Sequence, residues 1–275
     1  MDKIKSIKVI IENENEKFLK EFREYNIEGK ELIKEIYQGP NLLEEKNITK
    51  YNDKGQIVEE INFGENNELN TKITYNRDIN GNVNEIIIEF ADSSKTIKSY
   101  NYENNDKTII ITEKSDEGEF EGMTKIIRDN KGNVVESQQI SESNEILEKH
   151  LFEFDDNGNI LKDTFFQKLN ISTITKFNYD EKKNLIKRVI SSSEGKTIDW
   201  AIFKYDEKGN ITEQQFGDHT LYKIENNENN KPIVEQKINA MGVIEYFKKY
   251  EYNSNGDLIK EEDLSETTIF EYTYF

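Results

Sequence analysis

Apolar and polar residues alternate along short stretches of this chain. Lys98-Ser99-Tyr100-Asn101-Tyr102, Lys176-Phe177-Asn178-Tyr179, Ile202-Phe203-Lys204-Tyr205 and Lys249-Tyr250-Glu251-Tyr252 each put aromatic rings on one side and polar groups on the other. A period of two is that of an antiparallel strand with one half-buried face, so these stretches predict strands whose aromatic stripe packs rather than binds a ligand. The aromatic or apolar anchors stand at 25, 51, 75, 102, 127, 154, 179 and 205 and resume at 252, with a weaker unit around Asn227 to Gln236. Steps of 24 to 27 residues mark one structural unit repeated about ten times.

Each anchor leads into a turn. In Tyr205-Asp206-Glu207-Lys208-Gly209-Asn210 the Asp206 carboxylate can accept backbone N–H groups, Glu207 and Lys208 fill the centre, and Gly209 takes a left-handed conformation that lets the chain return as a strand. Gly55, Gly132, Gly158 and Gly256 occupy the same position in other copies. A second, more variable turn, such as Gly64-Glu65-Asn66-Asn67-Glu68-Leu69 or Ser191-Ser192-Ser193-Glu194-Gly195-Lys196, closes each unit at its other end. The expectation is an all-β repeat array of about ten antiparallel hairpins with a period of about 25 residues. Its roughly twenty strands, spanning 25–275, would form one long, curled, up-and-down sheet, with 1–24 as an N-terminal cap segment. Within that segment Glu16 to Tyr25 fits a helix face through Phe18, Leu19 and Phe22 or a strand, and is read as a strand. The final Thr268 to Phe275 supplies one more strand where an array would be capped. No linker breaks the period.

Composition narrows the chemistry. With 34% hydrophobic and 33% charged residues, the cores must be thin. Fifty-five acids against 37 bases give a net charge of −18, which repels nucleic-acid phosphates and anionic membranes and suits a partner protein with a basic surface. Zero cysteines exclude disulfides, thiolate metal sites and cysteine nucleophiles. The only apolar run near the N-terminus, Val9-Ile10-Ile11, is too short for a signal peptide or a span, so a cytoplasmic protein is expected.

Candidate catalytic chemistry is thin. His150 and His219 are the only histidines, and the Asp218-His219 pair places neighbouring side chains on opposite faces, so neither is expected to act as acid, base or metal ligand. Asn76 to Gly81 has oxygen ligands at the first, third and fifth positions of a calcium loop, but Ile87 stands where a bidentate acid belongs, which points to a hairpin turn. Glu59-Glu60 and Glu261-Glu262 are acid pairs in a chain crowded with acids. The single tryptophan, Trp200, shares a face with Ile202 and is the one candidate contact for a partner or a sugar ring. No catalytic, cofactor-binding or metal residue is assigned.

The iterated Tyr-Asp-x-x-Gly-Asn with a following aliphatic residue, best seen in YDEKGNIT from Tyr205 and FDDNGNIL from Phe154, resembles the RHS or YD-repeat family of bacterial proteins. The resemblance covers about Tyr25 to the end and implies an antiparallel sheet that spirals or curls. Full-length members form shells around toxin domains, and some are cell-surface proteins with suggested sugar binding. About twenty strands spaced ~4.8 Å apart would close to only ~30–40 Å, too narrow to sheathe a folded domain. The expected function is therefore that of a non-enzymatic acidic binding protein without cofactor. It would capture or inhibit a partner protein in toxin immunity or phage–host conflict. The alternatives are a nucleic-acid mimic that inhibits a nuclease and a surface carbohydrate-binding module.

Overall fold

The structure is a computed structural model that describes residues 3–14 and 16–275. In chain order the strands are β1 (Ile4–Glu12), β2 (Lys17–Tyr25), β3 (Glu31–Gly39), β4 (Leu42–Tyr51), β5 (Ile57–Phe63), β6 (Leu69–Arg77), β7 (Val83–Phe90), β8 (Lys95–Glu103), β9 (Thr108–Ser115), β10 (Phe120–Arg128) and β11 (Val134–Ile140). They continue as β12 (Ile146–Phe154), β13 (Ile160–Gln167), β14 (Asn170–Tyr179), β15 (Leu185–Ser192), β16 (Thr197–Tyr205), β17 (Ile211–Phe216), β18 (Leu221–Asn226), β19 (Pro232–Ile238), β20 (Ile244–Tyr252), β21 (Leu258–Glu262) and β22 (Thr267–Tyr274). Among the described residues a single 3-10 turn, Glu65–Asn67, interrupts the pattern.

All 22 strands belong to one sheet in which β1 is hydrogen-bonded to both β2 and β22. This corrects the expected long, open, curled array of about ten hairpins, because the sheet closes into a single β-barrel. An open sheet leaves two edges of unpaired N–H and C=O groups, and pairing the first strand with the last removes both. The segment before Tyr25 supplies the missing partners. It forms β1 and β2, and β1 pairs with β22 from Ile4↔Tyr274 to Glu12↔Thr267.

The chain divides into two units, Met1–Ile97 with Phe247–Phe275, and Lys98–Tyr246. The first unit contains the β1–β22 seam, where Ser6 Oγ and Thr273 Oγ1 lie 2.7 Å apart. The second is a run of antiparallel strands in which β9 to β19 pair in sequence order. Here the register steps by one residue just before most turns. Lys204 pairs with Glu213 but Tyr205 pairs with Ile211, so one residue of the returning strand is extra. Such a bulge after a type I turn with a left-handed glycine matches the right-handed twist of the strands.

The register also moves two anchors. The turns begin at Asp78 and Asp129, so the residues at the anchor position are Arg77 and Arg128 rather than Tyr75 and Ile127. The spacing is then 25 or 26 residues from Tyr25 to Tyr205, with the degraded copy at Glu103. A shorter step of 21 residues to Asn226 reflects the six-residue strands β17 and β18.

Packing is as thin as composition implied. Among the described residues only Ile11, Ile109 and Ala201 are buried apolar side chains, joined by Thr108 and Thr164. The chain exposes 17147 Å², against roughly 12,000 Å² for a compact monomer of its 32.4 kDa. The backbone ladder and partial burial of many side chains carry the fold in place of a filled core.

Candidate functional site

The recurrent turns account for the residues that dominate the sequence. Asp206 Oδ1 accepts the backbone N–H groups of Lys208 (2.9 Å) and Asn210 (2.8 Å), and Oδ2 accepts the Asn210 side-chain amide (2.8 Å). Asp129, Asp155 and Asp180 repeat the arrangement with Asn133, Asn159 and Asn184. These hydrogen bonds, chiefly those from the asparagine side chains, hold all four carboxyls below the ordinary range. Gly55, Gly132, Gly158, Gly209 and Gly256 have φ of 71°, 90°, 86°, 89° and 85°, and Lys183 is held at 69° in the equivalent position.

Two further roles were not read from the sequence. The anchor tyrosines are hydrogen-bond donors as well as packing groups. The Tyr51, Tyr179, Tyr205 and Tyr272 hydroxyls donate to the carbonyls of Glu31, Ile160, Leu185 and Leu258, at the start of the neighbouring strand. Burial raises all four phenols, with Tyr272 reaching about 12. Successive turns are also tied together. Lys131, Lys182 and Lys208, each third in its turn, donate to the carbonyls of Asp156, Glu207 and Glu228, each second in the next turn. The signal for this ladder was the lysine preceding glycine in YDEKGN, which reads as a solvated charge until the turns are stacked.

The other sequence candidates lie apart from one another. Trp200 is half-buried, set edge-on to the His219 ring and beside Gly217, so it is no free platform. His219 is an exposed turn residue at φ 66°. The Asn76–Gly81 stretch forms the usual turn, with Asp78 Oδ1 accepting the Asn80 and Asn82 N–H groups. Glu59 is paired with Lys50 and Lys72 while Glu60 accepts from Tyr75; Glu261 pairs with Lys248 and Glu262 with Lys260.

His150 departs from expectation. Its Nδ1 lies 2.9 and 3.1 Å from the two oxygens of Asp163, and its ring stacks on Phe152 and Phe165. The imidazole is therefore oriented by a carboxylate, a partner invisible in sequence because it comes from the next strand. Ser137 stands opposite His150 in the register, yet no hydrogen bond joins the two, so nucleophile and base are not assembled.

The most distinctive surface belongs to the second unit. At the end of its sheet opposite the glycine turns, the loops 115–119, 141–145 and 192–196 expose Asp116, Glu117, Glu119, Glu142, Glu145 and Glu194. No ion pair among the described residues engages these six carboxylates. Several charges on the strands are instead paired across the sheet, as in Lys162–Glu153, Arg188–Asp199 and Lys204–Glu213. The same end carries exposed apolar side chains: Leu147, Leu169, Ile171, Ile198, Met241 and Ile244, with Met241 83% and Leu169 64% exposed. Exposed carboxylates interspersed with exposed aliphatic groups make a surface suited to a ligand that is both basic and apolar.

In the first unit, a cleft of about 440 Å³ opens where β1 meets β22. It is lined by Ile4 and Ile7, by Tyr25 and Tyr274, and by Glu28 and Asp257 among others.

No family model and no curated protein matches the chain. Among solved structures, it is similar to the crystal structure of TcdB2-TccC3-Cdc42, at 12% identity and TM-score 0.43 over 89% of this chain and 18% of that one. A Photorhabdus luminescens Tc holotoxin pore gives the same values. A porin-like protein from Bacteroides uniformis is similar at 8% identity and TM-score 0.37, over 98% of this chain and 96% of that one. The chain thus spans less than a fifth of the toxin chains it matches.

Proposed function

We propose that the chain is a non-enzymatic acidic binding protein that captures or inhibits a partner protein through a basic, partly apolar surface. The observation that carries this reading is the turn end of the second unit, where exposed carboxylates without ion pairs stand among exposed aliphatic side chains. Salt-steered encounter followed by burial of Met241, Leu169 and Ile198 would give such a complex both its on-rate and its lifetime. The YD-repeat resemblance of the turns favours bacterial toxin immunity or phage–host conflict as the setting. A soluble protein is supported by the charges in mid-strand on both faces of the second unit, Lys162, Lys176 and Lys187 on one and Asp163, Arg188 and Asp199 on the other. A lipid-facing band bears a midplane lysine only at a cost of ~2–4 kcal/mol.

The test is a titration. With a partner fixed in concentration, its activity should fall to zero near a constant molar ratio. Glu117→Gln, Glu119→Gln, Glu142→Gln and Glu145→Gln combined should weaken the complex, while Glu153→Gln with Glu213→Gln should not. A substoichiometric effect that grows with time would overturn the binding reading. An affinity that collapses with salt but ignores Met241→Ser would indicate nucleic-acid mimicry instead.

A further inference from the structure

Around the glycine-turn end of the sheet, successive strands are joined by turns except at the seam, where β22 runs out beside the start of β1 and the Phe275 N–H donates to the Lys3 carbonyl (3.0 Å). With no turn there, the neighbouring turns 26–30 and 253–257 leave the seam cleft open between them, all within the first unit. A Cβ built on Gly29 would meet nothing within 4 Å.

The walls of this cleft are chemically sorted. Ile4 and Ile7 provide an apolar floor, and the rings of Tyr25 and Tyr274 stand beside it. The Tyr274 hydroxyl donates to Asp257 Oδ2 (2.8 Å), which also accepts the Asn253 side-chain amide (3.1 Å). Asp257 is thus held in place while its Oδ1 accepts no hydrogen bond among the described residues. Glu28 adds a second carboxylate at the rim, 3.4 Å from Lys30.

We infer that the seam cleft binds a small amphipathic organic cation, an ammonium carried on an aromatic or short alkyl body. The body would cover Ile4, Ile7 and the tyrosine rings, and the ammonium would lie between Asp257 Oδ1 and the ring faces, where cation–π attraction and the carboxylate act together. A neutral ligand forfeits both terms. A sugar would need free hydroxyl partners, but the Tyr274 hydroxyl is already committed to Asp257. Lys3, which also lines the cleft, would compete for Asp257 from within, as Lys30 does for Glu28.

The experiment measures binding of 2-phenylethylammonium to the full chain by calorimetry or saturation-transfer NMR, with 2-phenylethanol and phenylacetate as neutral and anionic isosteres. The expected order is ammonium, then alcohol, then carboxylate, with roughly tenfold between the first two. Asp257→Asn should weaken the ammonium roughly tenfold and leave the alcohol unchanged. Lys3→Ala, at an exposed position, should tighten the ammonium without altering the melting temperature. Equal binding of ammonium and alcohol would overturn the proposal. So would an ammonium affinity indifferent to both substitutions, or glucose displacing the ammonium.

Discussion

The turns of the second unit and the seam of the first show two ways of holding the same kind of strand. At 129–133, 155–159 and 206–210 each turn is fixed by residues at most four positions apart: an aspartate that caps its own turn, a glycine at positive φ, and an asparagine that returns a hydrogen bond; at 180–184 Lys183 stands in the glycine's place. At the seam, Ser6 meets Thr273 across 267 positions with no turn to set the register. The register there is instead set by the ladder between the strands themselves, from Ile4↔Tyr274 to Glu12↔Thr267. Local turn chemistry therefore suffices to build hairpins, whereas closure depends on edge satisfaction, which only the complete sheet supplies.

The largest expected effect comes from removing the seam. Deleting Thr267 to Phe275 strips β1 and β21 of their partner strand at once, leaving two open edges. Size-exclusion chromatography should show self-association of the truncated protein at concentrations where the full chain runs as a single smaller species. An unchanged profile would mean that β22 is dispensable and the two regions are equivalent.

Breaking one turn should cost less. Gly209→Val forces a β-branched residue toward φ 89° and should destabilise by roughly 1–2 kcal/mol. The nearest side-chain atom to a new Cβ is Asn184 Oδ1 at 3.9 Å, so backbone strain rather than collision sets the cost. Lys208→Val should cost clearly less, and Lys183→Gly, which relieves a lysine at φ 69°, should be neutral or stabilising. Chemical denaturation of the three variants provides the comparison.

How much of this was legible depends on the range of each interaction. The strands, the capping aspartates and the left-handed glycines could be read because each lies within one hairpin. The tyrosine hydroxyls could not, since Tyr205 reaches back 20 positions to Leu185 and only the register reveals it. The same holds for Asp163 beside His150, 13 positions away, and for the lysine ladder between turns. Closure was the least legible, because Ile4 to Glu12 carries no YD signature and its role appears only once β22 is seen to need a partner. The acidic, apolar turn end of the second unit was hidden for another reason: acids are so frequent that only the pairing pattern separates neutralised from free ones.

Tyr205→Phe sharpens the point at smaller cost. It keeps the ring and deletes the 2.8 Å bond to Leu185, so unfolding should become easier by about 1 kcal/mol. A neutral result would return the tyrosine to a packing role alone.

The smallest effect is in pH. Asp129, Asp155, Asp180 and Asp206 have lowered folded pKa values, so their contribution is fully present above the unfolded carboxyl range near ~3.9 and fades as pH falls through the folded values. Melting temperature should therefore drop between pH 5 and 3. Asp206→Asn retains the Oδ1 acceptor, as Asn52 does in its own turn, and should flatten that drop slightly.

The closed sheet is the central claim, and the chain's lack of cysteine allows one direct measurement. Ser6→Cys combined with Thr273→Cys places two thiols where the native hydroxyls lie 2.7 Å apart. Cross-strand Cβ atoms at ~4.5–5.5 Å stand at the edge of disulfide reach. Mild oxidation of the folded monomer should yield a single intramolecular disulfide, seen as a linked N-terminal and C-terminal peptide by mass spectrometry and as no change in size by chromatography. Free thiols throughout, or disulfides found only in dimers, would contradict closure of the first strand onto the last.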